Sequence, residues 1–346
     1  MRISRRQFVK AMAAMSAASM LAACGGNSGS GSSGGKKALT FQIWDVAQKE
    51  GMEAMCAAYT QQHPEVSIEV QVTSWNEYWT KLEAAATSNQ MPDIFWMHTN
   101  ELLKYADNGM LADCSDIVEK DKFSEISLSN AMGSNGTLYA VPKDKDTVGL
   151  VYNKEMFDAA GVAYPDENWT WDDLVSASEK IYAATGKYGY MAYADDQLGY
   201  WNFVYQAGGY ILNEDKTKAG FTQPATEKAM KFYIGLQQND WCPDQTYFAE
   251  TAPGTAFFSE KGAMFLEGDW NILAELQNYP EMVGKWDVAV LPKCPDPESG
   301  DGRATISNGL CYATAASNKN LDTVKDILKF FGSEAVSYTH LRAHET

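Results

Sequence analysis

Apolar residues along this chain fall at two spacings, and the switch from one to the other marks out its elements. Leu39, Phe41 and Ile43 alternate with Thr40 and Gln42, the period of a strand with one buried face. Met52, Met55, Cys56 and Tyr59 then recur three and four residues apart, which is one face of a helix. Ile68, Val70 and Val72 return to period two. Ser74 and Glu77 have the spacing of a capping box and open a helix with Tyr78, Leu82 and Ala85 inward. Pro92 and Asp93 introduce the short strand IFWM, and Leu102, Leu103 and Ala106 mark a helix that ends near Gly109. Strand and helix in strict alternation predict an α/β lobe with a largely parallel sheet.

A second series begins at the apolar strand TVGLVYN. Thr170 and Asp173 cap a helix that carries Leu174, Ala177 and Ile181 and stops at Gly186. Further helices are predicted over 224–239 and 269–278, KWDVAVLP reads as a strand, and Leu321, Val324, Leu328 and Phe331 form one more amphipathic face. There is no internal repeat. About 300 residues of globular chain are too many for one small core and predict two lobes; hydrophobic residues, 45% of the chain, can fill both.

Ahead of these elements, Arg2, Arg5, Arg6 and Lys10 precede an apolar run from Ala11 to Ala23. That run is too short to cross a bilayer, which takes about 20 residues, and its charged start and small-residue end predict an export signal over 1–23. SRRQFVK resembles the twin-arginine export motif, and Leu21-Ala22-Ala23-Cys24 resembles a bacterial lipobox. The second resemblance implies that Cys24 is lipidated and becomes the first mature residue; an ordinary export signal that contains a cysteine is the alternative. The Gly/Ser run over 24–37 has the composition of a flexible tether. The expectation is a globular body held by a lipid anchor at the outer face of a membrane.

Charge narrows the partners. The chain carries a net charge of −17, more negative still without the leader cations, which argues against nucleic acid and against a direct grip on anionic lipid. Besides Cys24 there are Cys56, Cys114, Cys242, Cys294 and Cys311, with no CxxC pair. Cys56 falls on an apolar helix face and is expected to be buried; a Cys242–Cys294 bridge stays open. His63, His98, His340 and His344 show no zinc spacing, and no acid stands between His340 and His344 in the HExxH manner. The body of the chain has no GxSxG elbow or Walker loop. No metal, no cofactor and no catalytic residue is expected.

IWDVAQKEGMEAM, MPDIFWMHTNELLKYADNGML, LYAVPKDKDTVGLVYNKEMFDAAGV, WTWDDL, QAGGYIL, KGAMFLEGDWNI, WDVAVLPKCP and ATAASNKN occur in an order that resembles the extracellular solute-binding proteins of ABC importers, specifically the carbohydrate-binding group that includes maltose-binding protein. The resemblance spans roughly residues 38–334. It implies an α/β, two-lobed periplasmic-binding-protein-like fold of type II, with hinged lobes, mixed and largely parallel sheets and a central cleft. The crossovers would lie near Lys145–Gly149 and Thr305–Cys311, giving 38–146 and 311–334 to lobe 1 and 150–305 to lobe 2. It also implies a monomeric binding protein, not an enzyme, whose partners are a mono- or oligosaccharide, two membrane permease subunits and, through them, a cytoplasmic ATPase. The segment 335–346 departs from the pattern and is expected to be a non-native tail in place of further helices.

A sugar offers hydroxyls at its rim and apolar C–H faces, so it is gripped by flat rings and by Asp, Glu, Asn or Arg; charge-assisted hydrogen bonds are roughly twice as strong as neutral ones. The chain holds 10 Trp and 18 Tyr. By resemblance, Trp270 in EGDW is the stacking ring of lobe 2, and Trp96 in DIFWMH that of lobe 1, with a core tryptophan as the alternative for each. Asp146 matches an acidic rim position beside the hinge. Trp44 and Asp45 end the first strand at the same mouth. Asp196 is assigned to the rim from lobe 2, in competition with Asp195; Gly268 would let the backbone approach the ligand or serve a turn, and Asp269 lies beside it. Trp201 reads as core, and Asn308 and Gly309 are further candidates at the second crossover. Two other classes stay open: a surface-anchored carbohydrate-active enzyme, which needs two suitably spaced carboxyl groups, and a binding protein for a polyamine or other non-sugar solute. No Tyr-Tyr pair favours ferric ion.

Overall fold

The computed structural model describes residues 36–213, 217–333 and 336. The expected export signal and Cys24, and nearly all of the 335–346 tail, lie outside the described residues. The chain starts with β1 (Lys37–Ile43), α1 (Lys49–Gln62), β2 (Val66–Val72), α2 (Trp75–Thr87), β3 (Ile94–His98), α3 (Thr99–Asp107), α4 (Glu125–Asn130) and β4 (Val141–Pro142). It continues through β5 (Asp146–Asn153), α5 (Lys154–Ala160), α6 (Trp171–Thr185), β6 (Tyr188–Tyr190), α7 (Trp201–Gln206), α8 (Pro224–Leu236), α9 (Gln245–Glu250), α10 (Pro253–Phe258), β7 (Gly262–Gly268), α11 (Asp269–Asn278) and β8 (Trp286–Ala289). It closes with β9 (Ser307–Asn308), β10 (Leu310–Ala313) and α12 (Leu321–Phe331).

Two sheets organise these elements. The first runs β2-β1-β3-β10-β4 and the second β6-β7-β5-β8. Parallel pairing is found at β1–β3 and β6–β7. The strands that change lobe, β5 and β10, pair antiparallel with β7 and β8 and with β3 and β4, so both sheets are mixed. Each central strand is buried along its whole length, β3 at five positions and β7 at seven, as expected where both faces are covered. The helix face read from Met52, Met55, Cys56 and Tyr59 is buried on the first sheet. α12 returns to that same core, where Phe331 lies 5.7 Å from Phe41 and 5.2 Å from Tyr312 between ring centroids. The described cysteines Cys56, Cys114, Cys242, Cys294 and Cys311 are all buried free thiols.

Local chemistry explains the helix ends. Thr170 and Asp173 form a full capping box: Thr170 N donates to Asp173 Oδ2 at 2.9 Å, and Asp173 N donates to Thr170 Oγ1 at 3.4 Å. Gly186 ends that helix with φ +67°, where a residue with a Cβ would be strained. Ser74 is an N-cap by position, but the capping box expected there does not form. Glu77 instead takes Lys81 Nζ at 2.9 Å one turn onward, because an i,i+4 partner is available to it.

The chain passes between the sheets twice, and the two passages are zipped together. Asp146 and Thr147 at the start of β5 pair antiparallel with Asn308 and Ser307 of β9. Lys143 N donates to Leu310 O at 2.8 Å, and Leu310 N to Asp144 Oδ1 at 2.7 Å.

The packing of the second lobe generates a test. Gly189 of β6 rests on α6 so closely that an added Cβ would lie 2.2 Å from Ser178 Cα and 2.5 Å from Ser178 O. Backbone atoms cannot step aside, so Gly189→Ala is expected to destabilise the protein by about 1–3 kcal/mol. Gly235→Ala, with nothing within 4 Å of the new methyl, is the control and should not destabilise. Urea-unfolding midpoints read both, and an unaffected Gly189→Ala midpoint would overturn this view of the contact.

Candidate functional site

A cleft of about 390 Å³ opens at the two passages and takes its walls from both sheets. The first sheet supplies Trp44, Asp45 and Gln48 after β1, Trp75 at the head of α2, and His98 at the end of β3. These are the C-terminal ends of strands, where open α/β sheets hold ligands. The second supplies Asp195, Gln197 and Leu198 ahead of α7, and Trp270 and Asn271 at the head of α11. Asp146, Asn308 and Leu310 come from the passages themselves.

Of the residues expected from the sequence, the structure brings Trp44, Asp45, Asp146, Trp270 and the further candidate Asn308 to this one cleft, whereas Gly309 does not line it. Trp96 is not among them. It is 0% exposed, because it sits mid-strand in β3 with its register partner Tyr312 beside it. Its ring lies 5.1 Å beneath that of Trp44 at 80°, and the Lys143 ammonium stands 4.8 Å over its face. Trp96 is thus the floor under the lobe-1 platform. The exposed ring beside Trp44 is Trp75, 41% exposed with its centroid 5.1 Å from that of Trp44.

Three further positions differ from expectation. Asp196 does not line the cleft, whereas its neighbour Asp195 does, with Oδ1 accepting from Gln197 N at 2.9 Å and Leu198 N at 2.7 Å. Asp269 turns away: its Oδ1 accepts from Thr147 N at 3.1 Å, which fastens the head of α11 to β5. Gly268 makes room for Trp270, not for a ligand. A Cβ at Gly268 would fall 2.3 Å from Cζ2, Cζ3 and Cη2 of that indole, so the ring is seated on the glycine.

The polar wall is wired from behind. Asp45 accepts from Ala47 N at 2.8 Å and from Gln48 Nε2 at 3.0 Å, while Gln48 Oε1 accepts from Lys143 Nζ at 3.0 Å. The Lys143 side chain is 2% exposed and is paired with Asp144. Asn308 Nδ2 donates to Gln197 Oε1. His98 Nδ1 accepts from Asn100 N at 3.1 Å, capping α3, so the ring proton is on Nε2. Burial pushes the imidazole down to about 4, against the pull of Asp144. The lining therefore presents three aspartates, amides, one neutral imidazole and indoles, with no Lys or Arg among the lining residues. Such a wall repels anions and suits hydroxyl donors.

Sequence reasoning missed Trp75, His98, Gln48, Gln197, Leu198, Asn271 and Leu310. Trp75 and His98 each stand at the junction of a strand end and a helix start, the same position that singled out Trp44 and Asp45, and that rule would have found them. Gln48 lies one turn from Asp45. Nothing in the sequence distinguishes Leu310.

The family model for bacterial extracellular solute-binding proteins matches residues 44–337. The diacetylchitobiose binding protein of Streptomyces coelicolor is 25% identical over 340 residues, 92% of this chain and 77% of its own. The arabinooligosaccharide-binding protein of Bacillus subtilis is 26% identical over 333 residues, 91% of this chain and 73% of its own. Among solved structures, the GacH receptor of Streptomyces glaucescens, studied unliganded and with acarbose, is similar with a TM-score of 0.78 at 23% identity, covering 90% of this chain and 79% of that one. The fold is the two-lobed type II periplasmic-binding-protein fold. No helix among the described residues is long and apolar enough to cross a membrane.

His98 provides the test of the site's electrostatics. Above pH 6.5 the imidazole is neutral whether folded or unfolded. Between pH 6.5 and about 4 the unfolded chain takes up a proton that the folded site refuses, so stability falls as pH falls through that window. Going from pH 7 to pH 5, wild type should lose about 2 kcal/mol more than His98→Gln, read from urea-unfolding curves. Equal losses would show that the ring is not held neutral.

Proposed function

The chain belongs to the bacterial extracellular solute-binding protein family, and from that premise we propose that it captures a neutral sugar, an oligosaccharide, in the cleft and delivers it to an ABC importer. The observation that carries this reading is the composition of the cleft lining: indoles from both sheets, Trp44 and Trp75 on one side and Trp270 on the other, set among carboxylates and amides without a Lys or Arg. Indole faces match the C–H faces of a pyranose or furanose. The amides and carboxylates match its hydroxyls, and the missing cations disfavour phosphorylated or acidic sugars. A volume near 390 Å³ falls at the lower end of the range of about 300–1,000 Å³ usual for ligand pockets. Relatives whose names specify diacetylchitobiose and arabinooligosaccharide support the class of ligand.

In this reading the protein binds and releases its ligand without breaking a bond. Ligand bridging the two walls favours a closed arrangement of the lobes over an open one, and the permease subunits recognise the closed form. Cys24 carries the lipid, and the Gly/Ser segment lets the body range above the membrane. Trp44, Trp75 and Trp270 stack on the sugar; Asp45, Asp146 and Asp195 accept from its hydroxyls; His98 Nε2–H donates to one.

A thermal-shift panel of chitobiose, arabinotriose, maltotriose and spermidine tests the assignment, since a ligand that binds only the native form raises the melting point. A sugar is expected to do so and spermidine is not; the reverse would transfer the cleft to a polyamine. Calorimetry with the responding sugar should show Trp270→Ala and Gly268→Ala each weakening binding at least about ten-fold, the second by unseating the same ring. Sugar recovered chemically intact after prolonged incubation is expected, and cleavage products would make the protein an enzyme.

A further inference from the structure

Behind the α11 side of the cleft stands a carboxyl that the proposed ligand contacts do not use. Glu267 is the sixth residue of β7 and is 6% exposed. Its Oε1 accepts two hydrogen bonds, from Gly268 N at 2.9 Å and from Asn271 Nδ2 at 2.9 Å. Asn271 is itself a lining residue of the cleft. Across the sheet Glu267 faces Gly149 of β5, which has no side chain to offer. Towards α10 it faces Gly254: a Cβ there would lie 3.6 Å from Glu267 Oε2 and 3.1 Å from Glu275 Oε1. Glu275 of α11 and Asp195 ahead of α7 are the charged groups that act on it, and no cation opposes them.

A primary amide has a donor end and an acceptor end. With Nδ2 committed to Glu267, the acceptor end of Asn271 is turned the opposite way. An ionised carboxylate can only accept, so a flipped Asn271 would set its oxygen against Glu267 and is excluded. We infer that Glu267 is a positioning residue for ligand selection: by holding Asn271 Nδ2 it presents Asn271 Oδ1 to the cleft as the acceptor for a donating sugar hydroxyl. The inference deepens the sugar-binding reading and rests on it. It also has a pH signature. Burial, with Glu275 and Asp195 adding to it against the two N–H bonds, raises Glu267 to about 7. Above that pH the amide is locked; below it the protonated carboxyl can donate to a flipped amide, and the lock relaxes.

The experiment has a ligand-free arm and a binding arm. In the ligand-free full chain, the Asn271 side-chain amide resonances should shift with a midpoint near pH 7 and should not do so in Glu267→Gln; a flat wild-type profile overturns the coupling. In the binding arm, calorimetry at pH 8 uses the tightest of chitobiose, arabinotriose and maltotriose. Glu267→Leu should weaken binding about ten-fold in the wild-type background but less than two-fold in Asn271→Ala, because its effect is routed through that amide. Equal losses in the two backgrounds would reduce Glu267 to a structural residue and overturn the proposal. Glu267→Gln, whose amide oxygen can accept both N–H groups while its NH₂ faces Glu275, should stay within three-fold of wild type; a loss as large as that of Glu267→Leu counts against the proposal. Circular dichroism checks folding, and should Glu267→Leu not fold, Glu267→Gln and the titration decide. If no sugar binds wild type, the sugar reading fails, while the titration still judges the Glu267–Asn271 link.

Discussion

The short antiparallel ribbon made by Asp146–Thr147 and Ser307–Asn308 is the constraint on which the rest of the molecule depends. Two sheets with separate cores have to share one binding site, and covalent chain is the dependable way to register them. Pairing the passages does more than join the lobes. It fixes Asp146 opposite Asn308, so the backbone positions of two rim residues of the cleft are set by strand pairing. The same ribbon anchors what flanks it: Leu310 N on Asp144, Thr305 Oγ1 on Val148 O at 2.8 Å, and Asp269 on Thr147 N. A hinge built as a two-stranded ribbon can bend and twist while its register, and hence the rim, is conserved.

The aromatic platforms rest on this frame in two different ways. In lobe 1, Trp44 lies edge-on between Trp96 and Tyr78, at 5.1 and 4.9 Å, and Tyr78 is fixed by donating to Trp96 O at 2.6 Å. The upper ring is therefore held by a stack that continues into the core. In lobe 2 a single ring, Trp270, is seated on a glycine. One wall gains rigidity from layered rings, the other from the absence of a methyl group.

This difference explains how far the site could be read in advance. The strand and helix pattern was legible because burial and period coincide: Phe41 and Ile43 are buried, as are Met52, Met55 and Tyr59. The strand-end rule located Trp44 and Asp45 for the same reason. It failed at Trp96 because a tryptophan one layer down has the same sequence context as one at the surface, and only the sheet register with Tyr312 separates them. Asp195 and Asp196 are adjacent acids, and the choice between them depends on which one caps the turn, a matter of backbone direction invisible to composition. At Ser74 a correct spacing yielded no capping box, since Glu77 had a competing cation within reach.

The amides of the cleft share a feature that no list of lining residues conveys. Gln48 is oriented by Lys143, Gln197 by Asn308, and Asn271 by Glu267. Each could present either end to a ligand; Gln48 and Asn271 have one end claimed by a partner of defined character, whereas Gln197 is paired with Asn308, another amide, so those two orientations are set jointly. Lys143 can only donate, so it takes the oxygen of Gln48 and leaves the NH₂ for Asp45. Ionised Glu267 can only accept, so it takes the NH₂ of Asn271 and leaves the oxygen. The donor and acceptor pattern of the wall is thus written by residues behind it; the buried Lys143 ammonium is tolerated because it is paired with Asp144 and hydrogen-bonded to Gln48, whereas burial works against the charge of Glu267. Two binding proteins with identical lining residues could therefore select different hydroxyl patterns if these rear partners differed. Ligand preference in such a cleft has to be sought at positions like Lys143 and Glu267 as much as in the rings and acids that line it.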